Sequence, residues 1–349
     1  METVILRVTD GSSDEEQRAL QKAADCIRGS GLVAFPTETV YGLGGNAFDA
    51  EAAKKIYAAK GRPSDNPLIV HIAEPEEMDR YCYTNPLSAR LAEAFWPGPM
   101  TMILPKRDCI PGSVTGGLDT VAIRLPSDPV ANRLIRMAGV PVAAPSANRS
   151  GRPSPTTAEH VVEDLQGRID MILAGNPCRI GVESSVIAVE QDHVTVLRPG
   201  AVTCEALRQL LGEDRVSVDR IVTEKVTGAF KPRSPGMKYR HYAPKAPVLL
   251  LEGEENTVVS YLKKKLPDPE AGLLVYDEDL DELAGERTLS FGKRLDPDAQ
   301  AHRLFFCLRK FDSMEEVRTI YARTPRREGI GLAVYNRLAK AAGFHILKF

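Results

Sequence analysis

The chain has 349 residues, enough for two domains. Hydrophobic residues make up 43% and charged residues 26%, a composition that excludes a disordered or fibrous protein. The 45 Lys and Arg against 47 Asp and Glu leave a net charge of −2, which excludes a global basic field for nucleic acid. No apolar run reaches the ~18 residues of a spanning helix, and Met1–Val8 reads as free of a signal peptide. Six dispersed cysteines form no CxxC pair, and six dispersed histidines form no HExxH. A disulfide scaffold or structural zinc site is therefore not expected, and a reducing cytoplasm is.

In chain order, Thr3–Val8 alternates as a strand. Ser13 opens a helix with Glu16 as its capping-box partner, and Gly29 and Gly31 end it. Leu32–Phe35 reads as a buried strand leading into Pro36–Gly45. Asp49 caps a helix through Ala59, a polar loop covers 60–66, and Pro67–Ile72 is a strand. Further strands are predicted at Thr101–Leu104, Val121–Leu125, Val142–Ala144, Met171–Ala174, Ser185–Val189 and Val194–Leu197. Helices are predicted near Pro86–Phe95, Asp128–Ala138, Thr157–Leu165 and Thr203–Leu211. Several strands follow each other directly, so a mixed sheet packed with helices fits better than a strictly doubly wound one.

The composition changes after Leu211. Lys225–Lys245 holds six Lys or Arg, three prolines and no Asp or Glu, which makes a poor core and a good linker. Beyond it come a strand at Val248–Leu251, a helix near Thr257–Lys264 and a strand at Gly272–Tyr276. A helix with Ala301, Leu304, Phe305, Leu308 and Phe311 on one face follows, and a last helix spans Gly331–Ala342. The reading is a domain over 1–211, a basic linker over 212–245 and a smaller three-layer, Rossmann-like α/β domain over 246–349.

Two segments stand out chemically. Lys60 and Arg62 sit two residues apart on a loop between a helix and a strand, with Asn66 close behind. A point charge and a planar fork can converge there on one polyanion, although an isolated pair of this kind is most often a solvated loop. Pro145–Ser154 follows an apolar strand with small hydroxyl and amide residues, suited to a phosphate or to a turn and N-cap. Arg124 stands inside an apolar strand, where it must be paired with an acid or bind a carboxylate. His71 is also embedded in a strand, a position more often filled by a satisfied core histidine. Gly329-Ile-Gly-Leu-Ala333 lacks the third glycine and the acidic partner of a dinucleotide fingerprint, and is rejected as one.

In combination these segments are distinctive. PTETVYGLG at 36–44, KGRPSDNPLIVHI at 60–72, FWPGPMT at 95–101, TVAIRLP at 120–126, APSANRSGRPSPT at 144–156, ESSVI at 183–187 and LRPG at 197–200 run in order. With SPGMKYRHYAP at 234–244 and GIGLAVYNRLAKAA at 329–342, the chain resembles the two-domain threonylcarbamoyl-adenylate synthase family, with its YrdC-like catalytic domain. The resemblance implies a reaction of L-threonine, bicarbonate and ATP to threonylcarbamoyl-AMP and pyrophosphate, which feeds threonylcarbamoyl modification of an adenosine in tRNA. It implies Lys60, Arg62, Ser146 and Asn148 as the catalytic group, and Thr39, His71, Arg124 and Ser184 around threonine. Lys60, Arg62, Asn66, Thr120, Ala144, Ser146, Asn148, Ser154 and Arg198 would surround ATP, with His241 or Tyr242 reaching the nucleotide from the linker. Mg²⁺ is expected with the triphosphate, held by phosphates and water and not by a dedicated protein site; no organic cofactor is expected. Partners would be downstream tRNA threonylcarbamoyl-transfer proteins, with at most weak RNA contact and no membrane.

Two alternatives stay open. One is an RNA-binding module of the same fold. The other is a carbamoyl-adenylate enzyme for another amino acid. The basic linker is expected to fold over bound ATP, with Tyr239, His241 and Tyr242 as closing contacts and Arg233 and Lys238 nearest the phosphates.

Overall fold

The structure is a computed structural model that describes residues 1–225 and 241–349. Among these, one compact unit comprises 1–150 and 154–219, and a second comprises 151–153, 220–225 and 241–349. Arg233, Lys238 and Tyr239, expected on the linker, lie outside the described residues.

The first unit is built on eleven strands. They are β1 Val4–Arg7, β2 Val33–Phe35, β3 Gly42–Asn46, β4 Ile69–His71, β5 Met100–Pro105, β6 Thr120–Arg124, β7 Val142–Ala143, β8 Met171–Ala174, β9 Ser185–Val189, β10 Val194–Arg198 and β11 Val216–Val218. Their order in the sheet is β1-β8-β2-β3-β7-β4-β6-β5-β9-β10-β11. Parallel pairs (β4 with β6, β5 with β9) alternate with antiparallel ones (β5 with β6, β4 with β7), so the sheet is mixed as expected. Residues 216–218, which the sequence places in the linker, pair with β10 and extend this sheet.

Local chemistry accounts for the helices beside it. Ser13 accepts the Glu16 N–H at the start of Asp14–Arg28, and Asp128 accepts from Val130 and Ala131 at the start of Pro129–Ala138. Glu16 is also drawn to Thr9 and Gly11, from which its carboxylate accepts three hydrogen bonds. The apolar faces of these two helices meet in one cluster, with Leu20, Ala24 and Ile27 packed among Ala131, Leu134 and Ile135. Strand β3 is glycine-rich for a packing reason. A Cβ on Gly44 would come within 2.7 Å of both the Phe35 ring and Val142.

The second unit is a five-stranded sheet: β12 Val248–Glu252, β13 Ala271–Val275, β14 Thr288–Ser290, β15 Thr319–Arg323 and β16 Ile346–Lys348. Its order is β14-β13-β15-β12-β16 and every pairing is parallel. Val258, Val259 and Leu262 of the helix Glu255–Lys265 cover one face against Leu251, Leu273 and Val275. The helix Gly331–Ala341 packs on β12 and on the helix Pro297–Asp312.

Candidate active site

The helix Ala50–Lys60 ends at Gly61, which takes a left-handed φ of 62° and satisfies the last turn through its N–H. That stop leaves Lys60 buried at 3% exposure, an expensive place for an ammonium unless it is fully hydrogen-bonded. It is: Nζ donates to the carbonyls of Ser146 and Asn148 and lies 3.3 Å from Asn148 Oδ1. The Lys60 carbonyl in turn accepts the Ser150 N–H at 2.8 Å. Ser146 Oγ donates to Asn148 Oδ1 at 2.5 Å, and Asn148 Nδ2 donates to the Arg149 carbonyl. The predicted cationic segment and the predicted Ser/Asn segment therefore form one clasped structure.

Arg62 folds over the same corner, donating from Nε to the Asn66 carbonyl at 3.3 Å and from Nη2 to the Pro67 carbonyl at 3.1 Å. The Asn66 side chain is buried, and its Oδ1 has no hydrogen-bond partner among the described residues. Ala144 donates its N–H to Ile69, so β7 leaves the sheet beside the start of β4. Thr120 opens β6 on the same side, since β4 and β6 are parallel neighbours.

A second group gathers at the far ends of these strands. His71 closes β4 and pairs in register with Arg124, which closes β6. Arg124 pairs across to Thr101 on β5. Thr101 Oγ1 is 2.8 Å from Ser184 Oγ, and Arg198 donates to the Ser184 carbonyl at 3.0 Å and to its hydroxyl at 3.1 Å. Thr39 is buried 2.9 Å from Thr37 Oγ1, on a loop held by hydrogen bonds from Ile180 to Glu38 and from Gly181 to Thr39. Arg198, expected among the ATP residues, is thus joined to Ser184 of the threonine set. Ser154 donates to Glu183, one residue before Ser184.

The charges around this second group are unusual. Arg124 Nη2 is paired with Glu38 Oε1 at 2.7 Å, both side chains at most 5% exposed. Burial, and after it the Arg124 charge, push His71 down to about 3, so the imidazole is neutral. Burial raises Asp128 to about 6 against the pull of its capping hydrogen bonds, with Glu38 adding to the rise. Glu38, Glu183 and Thr101 escape a reading of the sequence. The available signal was Arg124 itself, because a cation in an apolar strand requires an acid, but Glu38, flanked by Thr37 and Thr39, does not stand out as its partner.

His241 and Tyr242 belong to the second unit. Tyr242 stacks on Phe305 with ring centroids 5.4 Å apart, and the next residue, Ala243, donates its N–H to Gly151 at 2.8 Å. Tyr242 is therefore a buried packing residue here. No three His, Cys, Asp or Glu side chains among the described residues converge as a metal site.

Fold and site together define an α/β protein with a loop clasped by the buried Lys60 and, where β6 ends, a buried arginine–carboxylate pair. A family model described as "Telomere recombination" (Sua5, YciO and YrdC) matches residues 25–200. The threonylcarbamoyl-AMP synthase C-terminal domain model matches 202–343. A threonylcarbamoyl-AMP synthase of Bacillus subtilis is 45% identical over 344 residues, 98% of this chain and 97% of the relative. One of Pyrococcus abyssi is 43% identical over 99% of both chains. The crystal structure of P. abyssi Sua5 complexed with L-threonine matches with a TM-score of 0.90 at 41% identity, covering 99% of this chain and 100% of that one. The chain belongs to the threonylcarbamoyl-AMP synthase family.

Proposed function

We propose that the chain is an L-threonylcarbamoyladenylate synthase, converting L-threonine, bicarbonate and ATP to threonylcarbamoyl-AMP and pyrophosphate. The threonine amine and bicarbonate give a carbamate with loss of water. A carbamate oxygen then attacks the α-phosphorus as the bond to pyrophosphate breaks. Such a step asks for two anions held in line and for neutralised phosphate charge. It does not need a covalent nucleophile.

One observation carries this reading: β6 starts at Thr120 and ends at Arg124. Four residue steps of ~3.3 Å put the Thr120 and Arg124 Cα atoms ~13 Å apart, the scale of an amino acid joined to a nucleotide phosphate. In this assignment Arg124 forks the threonine carboxylate, with Thr39, His71 and Ser184 around the rest of the amino acid. Lys60, Arg62, Ser146 and Asn148 act on the phosphates, with Asn66, Thr120, Ala144 and Ser154 lining the nucleotide. Arg198 supports Ser184, and His241 and Tyr242 enter by resemblance alone. Magnesium arrives as the counter-ion of ATP, and we route no step through a protein-held metal. The product serves tRNA modification in the cytoplasm; no helix among the described residues is long and apolar enough to cross a membrane.

The test is incorporation of labelled bicarbonate with pyrophosphate release, measured with threonine and with other amino acids. Threonine-dependent release of both supports the assignment. Release driven by another amino acid points to a related enzyme, and RNA binding without release points to a binding module.

A further inference from the structure

The second unit contains a cavity of about 390 Å³ that the proposed reaction does not use. It lies at the carboxyl ends of β12 and β15, between Leu251–Gly253 and Arg323–Arg327. These two strands are parallel neighbours, but the chain leaves them in opposite directions. From β12 it crosses β15 to reach β13, and from β15 it crosses β12 to reach β16. With right-handed crossovers the two connecting helices fall on opposite faces, and the loops part over a crevice. In open parallel sheets, crevices of this kind hold ligands.

The lining chooses the ligand. Four arginines, Arg294, Arg323, Arg326 and Arg327, line the cavity with two glutamates, Glu252 and Glu255. Arg327 pairs with Glu252 at 2.9 Å, and Glu255 engages Arg294. Arg323 is 6% exposed; its buried Nε lies 3.1 Å from Asp279 Oδ2 but is not aligned to hydrogen-bond it. Arg326 has no ion pair among the described residues. Glu255 and Asp279 partly balance Arg294 and Arg323, and burial, followed by the charges of Arg323 and Arg326, still lowers the pKa of Arg294. Tyr276 is 3% exposed and stacks on Phe291, and the Arg294 and Arg323 guanidinium carbons lie 5.6 and 5.3 Å from its ring centre, which fixes both arginines at the cavity floor. Guanidinium forks fit phosphate oxygens, and the volume is that of a small-ligand pocket.

We propose that this crevice is a second phosphate site, in which Arg323 and Arg326 take the phosphate of a nucleotide or a free phosphate ion. The probe is labelled ATP in equilibrium dialysis against the full chain, with AMP and inorganic phosphate as competitors. The expected result is two moles bound per mole of chain, falling to one in Arg326→Glu. Pyrophosphate release by that variant should stay within about twofold of wild type. Arg323→Gln should also lose the second mole; because Arg323 is buried, its circular dichroism is checked, and the exposed Arg326 stands as the independent variant. Competition by AMP but not by phosphate shows that the base contributes, whereas competition by both shows that the phosphate suffices. One mole in the wild type, or a second mole that survives Arg326→Glu, overturns the proposal. A chain that binds two moles but releases no pyrophosphate would refute the catalytic reading alone.

Discussion

Arg124 Nη2 sits 2.7 Å from Glu38 Oε1, and both side chains are almost wholly buried. Such a pair is costly to break from one side, on the order of 3–5 kcal/mol, because the remaining charge has no water to turn to. Glu38 occupies one nitrogen of a guanidinium that has three, so the fork can still meet a substrate carboxylate while Glu38 fixes its direction. Arg124→Ala should raise the threonine KM at least 30-fold, with a much smaller change for ATP. Arg124→Lys should recover only part, since a point charge makes no fork. Glu38→Gln should weaken threonine selectively and lower the urea midpoint. Initial rates at varied threonine and ATP check all three, and equal losses for both substrates would leave Arg124 a structural ion only.

Lys60 holds the carbonyls of Ser146 and Asn148, so its removal should disorganise the loop opposite the phosphates as well as delete a charge. Lys60→Ala is expected to lower turnover at least 100-fold, because both effects act where charge moves during transfer. Threonine binding by calorimetry should survive within a few fold. Wild-type pyrophosphate release in this variant would remove Lys60 from the reaction.

Arg198 donates to both the carbonyl and the hydroxyl of Ser184. Arg198→Ala should therefore raise the threonine KM more than the ATP KM, and Arg198→Lys should restore one contact of the two. An effect confined to ATP would return Arg198 to the nucleotide set in which the sequence placed it.

Asp128 gives a pH signature. Its folded pKa is raised from 3.8 to about 6, so the native state favours the protonated form. The stabilisation is complete below the unfolded value and lost as pH rises through the folded one. His71, whose pKa falls from 6.5 to about 3, works in the opposite direction over the same range, so the Asp128 effect is read as the difference between variant and wild type. Asp128→Asn keeps an acceptor for Val130 and Ala131, and its gain over wild type in urea unfolding should grow from near zero at about pH 4 to on the order of 3 kcal/mol at pH 7. A variant that tracks wild type across this window would show that Asp128 is not the titrating group.

Much of the first unit was legible because its strands are β-branched and its helices carry capping residues, as at Asp49 and Asp128. Strand β3 was not, since Gly-Leu-Gly-Gly has low strand propensity and is extended only because Phe35 and Val142 leave no room for a Cβ. Thr319–Arg323, the central strand that joins β12 to β13, was missed, and so were the edge strands Thr288–Ser290 and Ile346–Lys348, whose three residues give no period to read. Lys60, Arg62, Ser146 and Asn148 were legible as two motifs, but their clasp is a long-range contact that no spacing reveals. Tyr242 was expected as a closing contact because its surroundings are basic and proline-rich. Its stacking partner, Phe305, lies far along the chain.

Strand β6 is a short, continuous piece of backbone with Thr120 and Arg124 on the same face, two full pleats apart. The spacing between the two residues, which the proposed function places at the two ends of the site, is therefore counted in residues. An inserted residue between Val121 and Ile123 would turn one end residue to the opposite face, and a two-residue deletion would keep the face but shorten the reach by ~7 Å. In the proposed assignment, substrate length is thus the property of this protein least open to gradual change. Side chains can drift around either end, but no single-residue insertion or deletion in β6 can adjust the interval between them.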